Sequence, residues 1–412
     1  MTSALRVLFV TDEWPTGARP GAAPWVSTPA LRLRERGNSV SVLLLRRLFP
    51  PARVVSSVPS PRRLLAETKH WLDQEITAPP LHSELVKVAR YSSPPRPWFH
   101  HSWGHWAAVT AGRQISAHCQ SFQPQIVHAH FASPSGWLAM SLSSRFAAPY
   151  VVSVHGADIN FTANISERAR RTVAEVLTNA NCVIANSGPS KETVMHLSQG
   201  QAACCRLWQG GDAPFPASPS VSRPLRILSV GDIVPSKGHY EAARLLSMAS
   251  HKGIDFRWTV VGRGSLSDTA AFRSLIRGLG LRGRTQWIPE LPNESVLRAM
   301  SQSDVFLLLT KQEAYGVVFA EAVSAGLLVI GSSRAGAMRD FQEAGAPVVS
   351  MEPAVTSRNL DRLIALLSDA QSIARAKADS ADWGKRNLGW DRYVDQLESI
   401  YVRCLTAGSW RS

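Results

Sequence analysis

Short β-branched apolar runs alternate with amphipathic stretches of helix length along the whole 412-residue chain. Few folds are compatible with that rhythm. A continuous apolar run of five or six residues reads as a strand covered on both faces, and parallel neighbours need a helical crossover between them. In the first half the strand candidates are Leu5–Val10, Ser39–Leu45, Gln125–His128, Tyr150–His155, Cys182–Asn186 and Cys204–Trp208. In the second half they are Leu225–Val230, Arg257–Val261, Thr285–Ile288, Val305–Leu309, Leu328–Ile330 and Pro347–Val349. The two series predict an α/β protein of two doubly wound, Rossmann-like parallel-sheet domains facing each other across a cleft. Gln209–Arg223, rich in Gly, Pro and Ser, can continue neither a helix nor a central strand and reads as the linker. The expected domains are residues 1–212 and 213–385, with a C-terminal helix over 386–412 packing back on the first. Phe49–Pro97, dense in Pro and Arg, reads as irregular insertions at the rim of the first domain. Trp383–Leu405 reads as a closing helix.

Composition narrows the class. With 45% hydrophobic and 18% charged residues, each domain has material for a core and the chain is not mainly disordered. No apolar run reaches the roughly 18–20 residues that span a bilayer, and the first residues lack a signal-peptide cleavage pattern. A cytoplasmic protein is expected. The five cysteines, Cys119, Cys182, Cys204, Cys205 and Cys404, show neither C-x-x-C nor metal spacing and read as small buried hydrophobes.

The formal net charge of +14 is concentrated early, at Arg46, Arg47, Arg62, Arg63, Lys69, Lys87, Arg90 and Arg96. Trp71, Trp98, Phe99, Trp103 and Trp106 lie among them. Cations interleaved with tryptophan suit an anionic membrane surface, so peripheral attachment to the cytoplasmic face is one expectation. A solvated basic surface over core tryptophans is the other. No nucleic-acid-binding motif occurs, and no nucleic acid partner is expected.

In open parallel sheets ligands bind beyond the carboxyl ends of the strands. Val305–Leu309 runs through Glu313 and Gly316 into a helix that begins near Val317 and carries Glu321. Free N–H groups at such a helix start, with a glycine allowing close approach, form a site for a diphosphate, and two flanking carboxylates can accept hydrogen bonds from sugar hydroxyls. The E-x7-E spacing recurs at Glu67/Glu75 and Glu167/Glu175, but only Glu313/Glu321 sits at a strand–turn–helix junction. Gly231–Gly238 follows another strand and ends in Lys237, which can reach phosphate as a point charge. Gly262 and Gly264 follow a third strand. In the first half His155, with Asp158 close behind, ends a strand at a glycine, and structural and ligand-facing roles are both open. His128 and His130 end another strand; no third metal ligand is convincing, so lining or core roles are expected and no metal is. Gly21 lies in a Gly/Pro loop after the first strand.

The loop Thr16–Trp25 after the first strand lacks the G-x-G-x-x-G dinucleotide fingerprint, and the chain has no P-loop, nucleophile elbow or Asp-x-Asp.

Taken together, the Trp14-Pro15 loop, HAHFASPSGWLA at His128–Ala139, VHGADIN at Val154–Asn160, Asn186-Ser187, the Gly210/Asp212/Phe215 junction, Gly231–Gly238, Val261–Gly264 and Glu313–Glu321 resemble GT-B glycosyltransferases of family 4. The resemblance spans nearly the whole chain. It implies a retaining hexosyltransferase that moves a sugar from a UDP- or GDP-sugar to a glycan or lipid-linked acceptor, in cell-surface polysaccharide or glycolipid synthesis, with no metal and no cofactor besides that co-substrate. The second domain would bind the donor and the first the acceptor. Glu313 would hold the transferred sugar, Glu321 the ribose, and Gly316, Val317 and Lys237 the diphosphate, with Gly231 and Gly262 shaping the donor loops. His155 would act at the reaction centre, and Asp158, Gly21 and His130 would line the acceptor side. Three positions depart from the family pattern: Asp232 stands where an Arg is usual, Gly21-Ala22 replaces Gly-Gly, and Arg339 replaces a Glu. Arg334 or Arg339 could supply the missing positive charge. Other readings of the same pattern are a degenerate module that binds without transfer and a sugar-nucleotide epimerase.

Overall fold

The computed structural model describes residues 4–17, 19–48, 69, 77–93, 102–216, 218 and 220–407. The chain divides into two compact units, one running to Leu207 and resumed at Val394, the other Trp208–Tyr393.

The first unit is built on a seven-stranded parallel sheet: β1 (Arg6–Thr11), β2 (Ser39–Arg47), β3 (Val86–Tyr91), β4 (Ile126–His130), β5 (Tyr150–Val154), β6 (Cys182–Ala185) and β7 (Cys204–Arg206), in spatial order β3-β2-β1-β4-β5-β6-β7. The central strands β4 and β5 are buried at every residue, as continuous apolar runs require. Its helices are α1 (Pro24–Glu35), α2 (Trp103–Thr110), α3 (Gly112–Phe122), α4 (Trp137–Phe146), α5 (Glu167–Asn179) and α6 (Gly188–Leu197). Serine caps start two of them. Ser166 Oγ accepts from Ala169 N and Ser187 Oγ from Ser190 N. Glu167 and Glu175 both lie on α5, so that E-x7-E pair is a feature of one helix surface.

Within Phe49–Pro97, expected to carry irregular insertions, Val86–Tyr91 forms a strand that the sequence reading did not include. Val86–Tyr91 pairs in parallel with β2, Val42 opposite Val86 and Arg47 opposite Tyr91. Its Ala89 and Tyr91 are buried while Lys87 and Arg90 are exposed, the alternation of an edge strand, and the charges obscure the apolar signal. Arg62, Arg63, Trp71, Arg96, Trp98 and Phe99 lie outside the described residues. Of the aromatic residues that are described, Trp103 and Trp106 pack against the first core, and the Arg47 guanidinium stacks 4.1 Å over Trp103. Cys119, Cys182 and Cys404 are buried and Cys204 and Cys205 partly so, all as free thiols.

The second unit carries a six-stranded parallel sheet: β8 (Leu225–Val230), β9 (Phe256–Val261), β10 (Thr285–Ile288), β11 (Val305–Leu308), β12 (Leu328–Ser332) and β13 (Val348–Met351), in order β10-β9-β8-β11-β12-β13. The chain winds outward from β8 in one direction, then crosses back to β11 and winds in the other. β8 and β11 therefore flank the topological switch point. The helices are α7 (His239–His251), α8 (Leu266–Gly278), α9 (Asn293–Ser301), α10 (Val317–Ser324), α11 (Gly336–Glu343), α12 (Ser357–Ser368) and α13 (Ala370–Asn387).

The closing helix is two helices. α13 ends at Asn387, and α14 (Trp390–Ala407) starts after Leu388 turns extended and Gly389 adopts φ +128°. From Val394 onward α14 belongs to the first unit. Asp395 and Glu398 pair with Arg36 at 2.6 and 3.1 Å, and Tyr401 Oη lies 2.6 Å from His128 Nδ1. Among the described residues no helix is long and apolar enough to cross a membrane.

One buried ion pair fixes α13 to the second sheet. Lys377 Nζ donates to Asp304 Oδ1 at 2.9 Å and to Ser220 O at 3.1 Å, and the side chains are 3% and 1% exposed. Asp304 Oδ2 accepts from Arg226 N at 2.9 Å and Ser222 N at 3.2 Å. Removing the ammonium leaves a carboxylate buried without its cation. Lys377→Ala should destabilise the chain by about 3–5 kcal/mol, read as a lower urea midpoint; a change below about 1 kcal/mol would show that the pair is not the anchor described.

Candidate functional site

In the second unit, the loops leaving β8, β9 and β11 are locked together by their backbones. Gly231 N donates to Val261 O, and a Cβ on Gly262 would stand 1.8 Å from Gly231 O. A Cβ on Gly238, at φ +76°, would stand 1.8 Å from Leu309 O. Side chains are thus excluded at both contacts. Lys311 N (2.7 Å) and Thr310 Oγ1 (3.1 Å) both donate to Ser236 O. His239, buried at the start of α7, has Nε2 3.0 Å from Gly231 O, and burial lowers its pKa to about 4, so the ring is neutral.

This scaffold brings together Lys237 and Glu313, 76 positions apart in sequence, with Lys237 Nζ 2.5 Å from Glu313 Oε2 at the switch point. Both are partly exposed, at 31% and 22% of their side chains, so the pair borders solvent. The loop from Leu309 to Gly316 is also tied to the end of β12: Glu313 N donates to Arg334 O and Gly336 N to Glu313 O. Gly316, at φ +87°, turns the chain into α10, and a Cβ there would meet the Phe319 ring at 2.7 Å. Val317 and Val318 are the first two helical residues. Their N–H groups have no carbonyl one turn earlier in the helix and lie at its positive end.

Glu321 is 8% exposed, one turn into α10. Burial, with Asp212 adding to it, raises its pKa from 4.5 to about 7. The backbone of Gly211 lies against α10 so closely that a Cβ would be 2.7 Å from Ala320 C. Gly210 and Gly211 therefore carry Asp212 past the helix start. In the sequence Asp212 is marked only as part of the Gly210/Asp212/Phe215 junction and Ser236 only as part of Gly231–Gly238, with no separate role for either.

Asp232 is exposed, and among the described residues its carboxylate has no partner. Neither Arg334 nor Arg339 stands free to replace an arginine there: Arg334 Nε lies 3.6 Å from Glu352 and Arg339 Nε 3.0 Å from Glu343.

In the first unit, three imidazoles stack where β4 and β5 end. His128 and His130 point to the same side of β4 with ring centroids 4.6 Å apart, and His130 stacks on His155 at 5.2 Å. His130 Nδ1 lies 3.0 Å from His155 Nε2, and His128 Nε2 2.8 Å from Ser153 Oγ. Desolvation lowers the pKa of His128 and of His155 to about 3, and that of His130 far below its ordinary value, so all three are neutral near pH 7. His128 and His130 are fully buried, while His155 is partly exposed, bordered by Phe131 and by Trp25 at the start of α1. Asp158 is 1% exposed and turned into the backbone. Oδ2 accepts from Ala132 N (2.9 Å), and Oδ1 from Gly156 N (3.0 Å) and His155 N (3.2 Å). It ties the loops after β4 and β5 together and fixes where His155 stands. Gly21 lies exposed in the turn before α1. Among the described residues no group of three or more His, Cys, Asp or Glu is arranged to hold a metal ion.

The Glu321 shift has a stability consequence. The native carboxyl binds an extra proton between pH 4.5 and about 7, so stability falls as pH rises through that window, by about 3 kcal/mol in all. Glu321→Gln removes that slope. The variant should exceed the parent in denaturant resistance at pH 8 by more than at pH 4.5; a pH-independent difference would contradict the buried-carboxyl assignment.

Two family models divide the chain between them. Glycosyltransferase Family 4 matches residues 21–211 and Glycosyl transferases group 1 matches residues 213–382. The glycosyltransferase TuaC of Bacillus subtilis, named for teichuronic acid biosynthesis, is 22% identical over 346 residues, covering 79% of this chain and 80% of its own. A GDP-mannose:cellobiosyl-diphosphopolyprenol alpha-mannosyltransferase of Xanthomonas oryzae is 30% identical over 168 residues, 40% of this chain and 41% of its own. Among solved structures, sucrose-phosphate synthase of Thermosynechococcus elongatus superposes with a TM-score of 0.69 at 16% identity, over 98% of this chain and all of that one. Anabaena HepE in complex with UDP gives 0.67 at 16% identity, over 96% and 99%.

Proposed function

The chain belongs to the GT-B glycosyltransferases of family 4, and from that membership we propose that it transfers a hexose, with retention of anomeric configuration, from a UDP- or GDP-sugar to a glycan or lipid-linked acceptor. The observation that carries this reading is the Lys237–Glu313 pair at the switch point of the second sheet, beside the free N–H groups that open α10. The diphosphate lies against those N–H groups and Lys237. Glu313 accepts from hydroxyls of the transferred sugar and Glu321 from those of the ribose. His155, a neutral imidazole held by Asp158 and His130, contacts the transferred sugar. The names of relatives that act on polysaccharide or polyprenol-linked acceptors support cell-surface polysaccharide or glycolipid synthesis, and the basic stretch between Arg46 and Trp106 suits the cytoplasmic face of an anionic membrane.

The acceptor oxygen bonds to the anomeric carbon on the face from which the phosphate oxygen departs, and the hydroxyl proton passes to that oxygen. Negative charge grows on the leaving diphosphate as the bond breaks. Lys237 and the start of α10 stabilise charge that is larger in the transition state than in the bound donor, the condition for lowering a barrier. No protein nucleophile or metal enters this scheme.

Incubation with a panel of nucleotide sugars and crude lipid extract should release nucleoside diphosphate from one of them. Glu313→Ala should reduce that release by about 100-fold or more. Consumption of no donor, or an unchanged rate in the variant, would refute the assignment. Asp232 adds a negative charge where the donor's diphosphate approaches. Asp232→Asn should lower the donor KM by about threefold in initial-rate measurements, and an unchanged or higher KM would place the carboxylate outside the donor's reach. Asp232 also favours a second reading, a module that binds donor without transfer; tight binding with no product from any extract would select it.

A further inference from the structure

A pocket of about 520 Å³ lies between α8 and the edge strand β10 of the second unit. Its floor is apolar, made by the buried Phe272 and Ile276 with Trp287 beside them. Its rim is cationic. Arg273 and Arg277, one turn apart on α8, and Arg282 in the turn before β10 all line it. The Arg273 guanidinium lies 4.6 Å over the Trp287 ring. Thr285 begins β10, whereas the loops carrying Lys237, Gly262 and Glu313 follow the carboxyl ends of their strands. The three arginines therefore cluster toward the amino end of β10, while Trp287, on the other side of the pocket, donates Nε1–H to Gly262 O at 2.9 Å.

The neighbouring arginines are engaged. Arg284 pairs with Asp255, Arg263 with Glu290 and Arg298 with Glu294, while Arg257 donates to Gly283 O. Among the described residues, none of the three pocket arginines has a carboxylate partner, and Arg273 and Arg277 stand at the i, i+4 spacing where like charges repel. Guanidinium groups match phosphate oxygens in pairs, and an aromatic floor takes an apolar substituent. We propose that this pocket is a second ligand site, for a phosphate ester whose apolar part lies on Trp287 and Phe272.

The ester can be a soluble metabolite or a lipid headgroup, and two measurements separate these sources. Titration calorimetry with phenyl phosphate and inorganic phosphate reads the soluble case. Sedimentation with phosphatidylglycerol vesicles, against phosphatidylcholine controls, reads the lipid case. Phenyl phosphate should bind more tightly than inorganic phosphate, or the anionic vesicles should retain the chain. In either case the double variant R273Q/R277Q should weaken binding about tenfold or more, and R282Q should weaken it separately. All three positions are exposed, so thermal midpoints should match the parent's. Nucleoside diphosphate release should also persist in the double variant, which keeps this result independent of the donor assignment. Absence of binding to both probes, or binding indifferent to these substitutions, would overturn the proposal.

Discussion

A contact that leaves no room for a side chain sets the geometry of the second unit. Gly238 lies so close to the Leu309 carbonyl that even a methyl group would collide with it. That contact joins the loop leaving β8 to the loop leaving β11, the two strands between which the chain reverses its direction of winding. Lys237 and Glu313 can meet because their loops are held by backbone rather than by their own long, flexible side chains. Gly262 against Gly231 repeats the arrangement one strand over. Groups placed this way need little reorganisation when charge develops beside them, which is what electrostatic stabilisation of a leaving group demands.

Burial disfavours charge in both units, and the groups that border solvent keep theirs. The three stacked histidines of the first unit are held neutral because protonating any of them would place a cation in a desolvated stack. They can donate and accept hydrogen bonds without adding charge. In the second unit Glu321 is pushed toward neutrality while Lys237 and Glu313, which border solvent, form an ion pair. A protonated Glu321 can donate as well as accept, so its hydrogen-bonding capacity toward a diol changes with pH near neutrality.

Much of this was legible in the sequence because doubly wound sheets announce themselves through uninterrupted apolar runs. The paired strand order then implies where β8 and β11 meet, and hence that Lys237 and Glu313 are close. β3 was hidden because an edge strand alternates, and Lys87 and Arg90 broke its apolar pattern within a Pro- and Arg-rich stretch. The break at Gly389 was hidden because aromatic residues continue on both sides of it. His128 and His130 share a face of their strand by the two-residue period. Their link to His155 depends on the register of β4 against β5, His130 opposite Ser153, and no local pattern encodes a register between strands. The inward turn of Asp158 was likewise invisible, since a carboxylate near a loop glycine can face a ligand or its own backbone with the same sequence.

The ammonium of Lys377 neutralises a carboxylate that sits at the threshold of β11, and Trp383, six residues on, packs into the core beneath α10. Helix α13 is therefore part of the second unit's interior and no appendage to it. An excised second unit whose boundary is drawn after the last strand, at Met351, would forfeit both the counter-ion and that indole. Any such fragment has to be cut beyond residue 387 to stand alone.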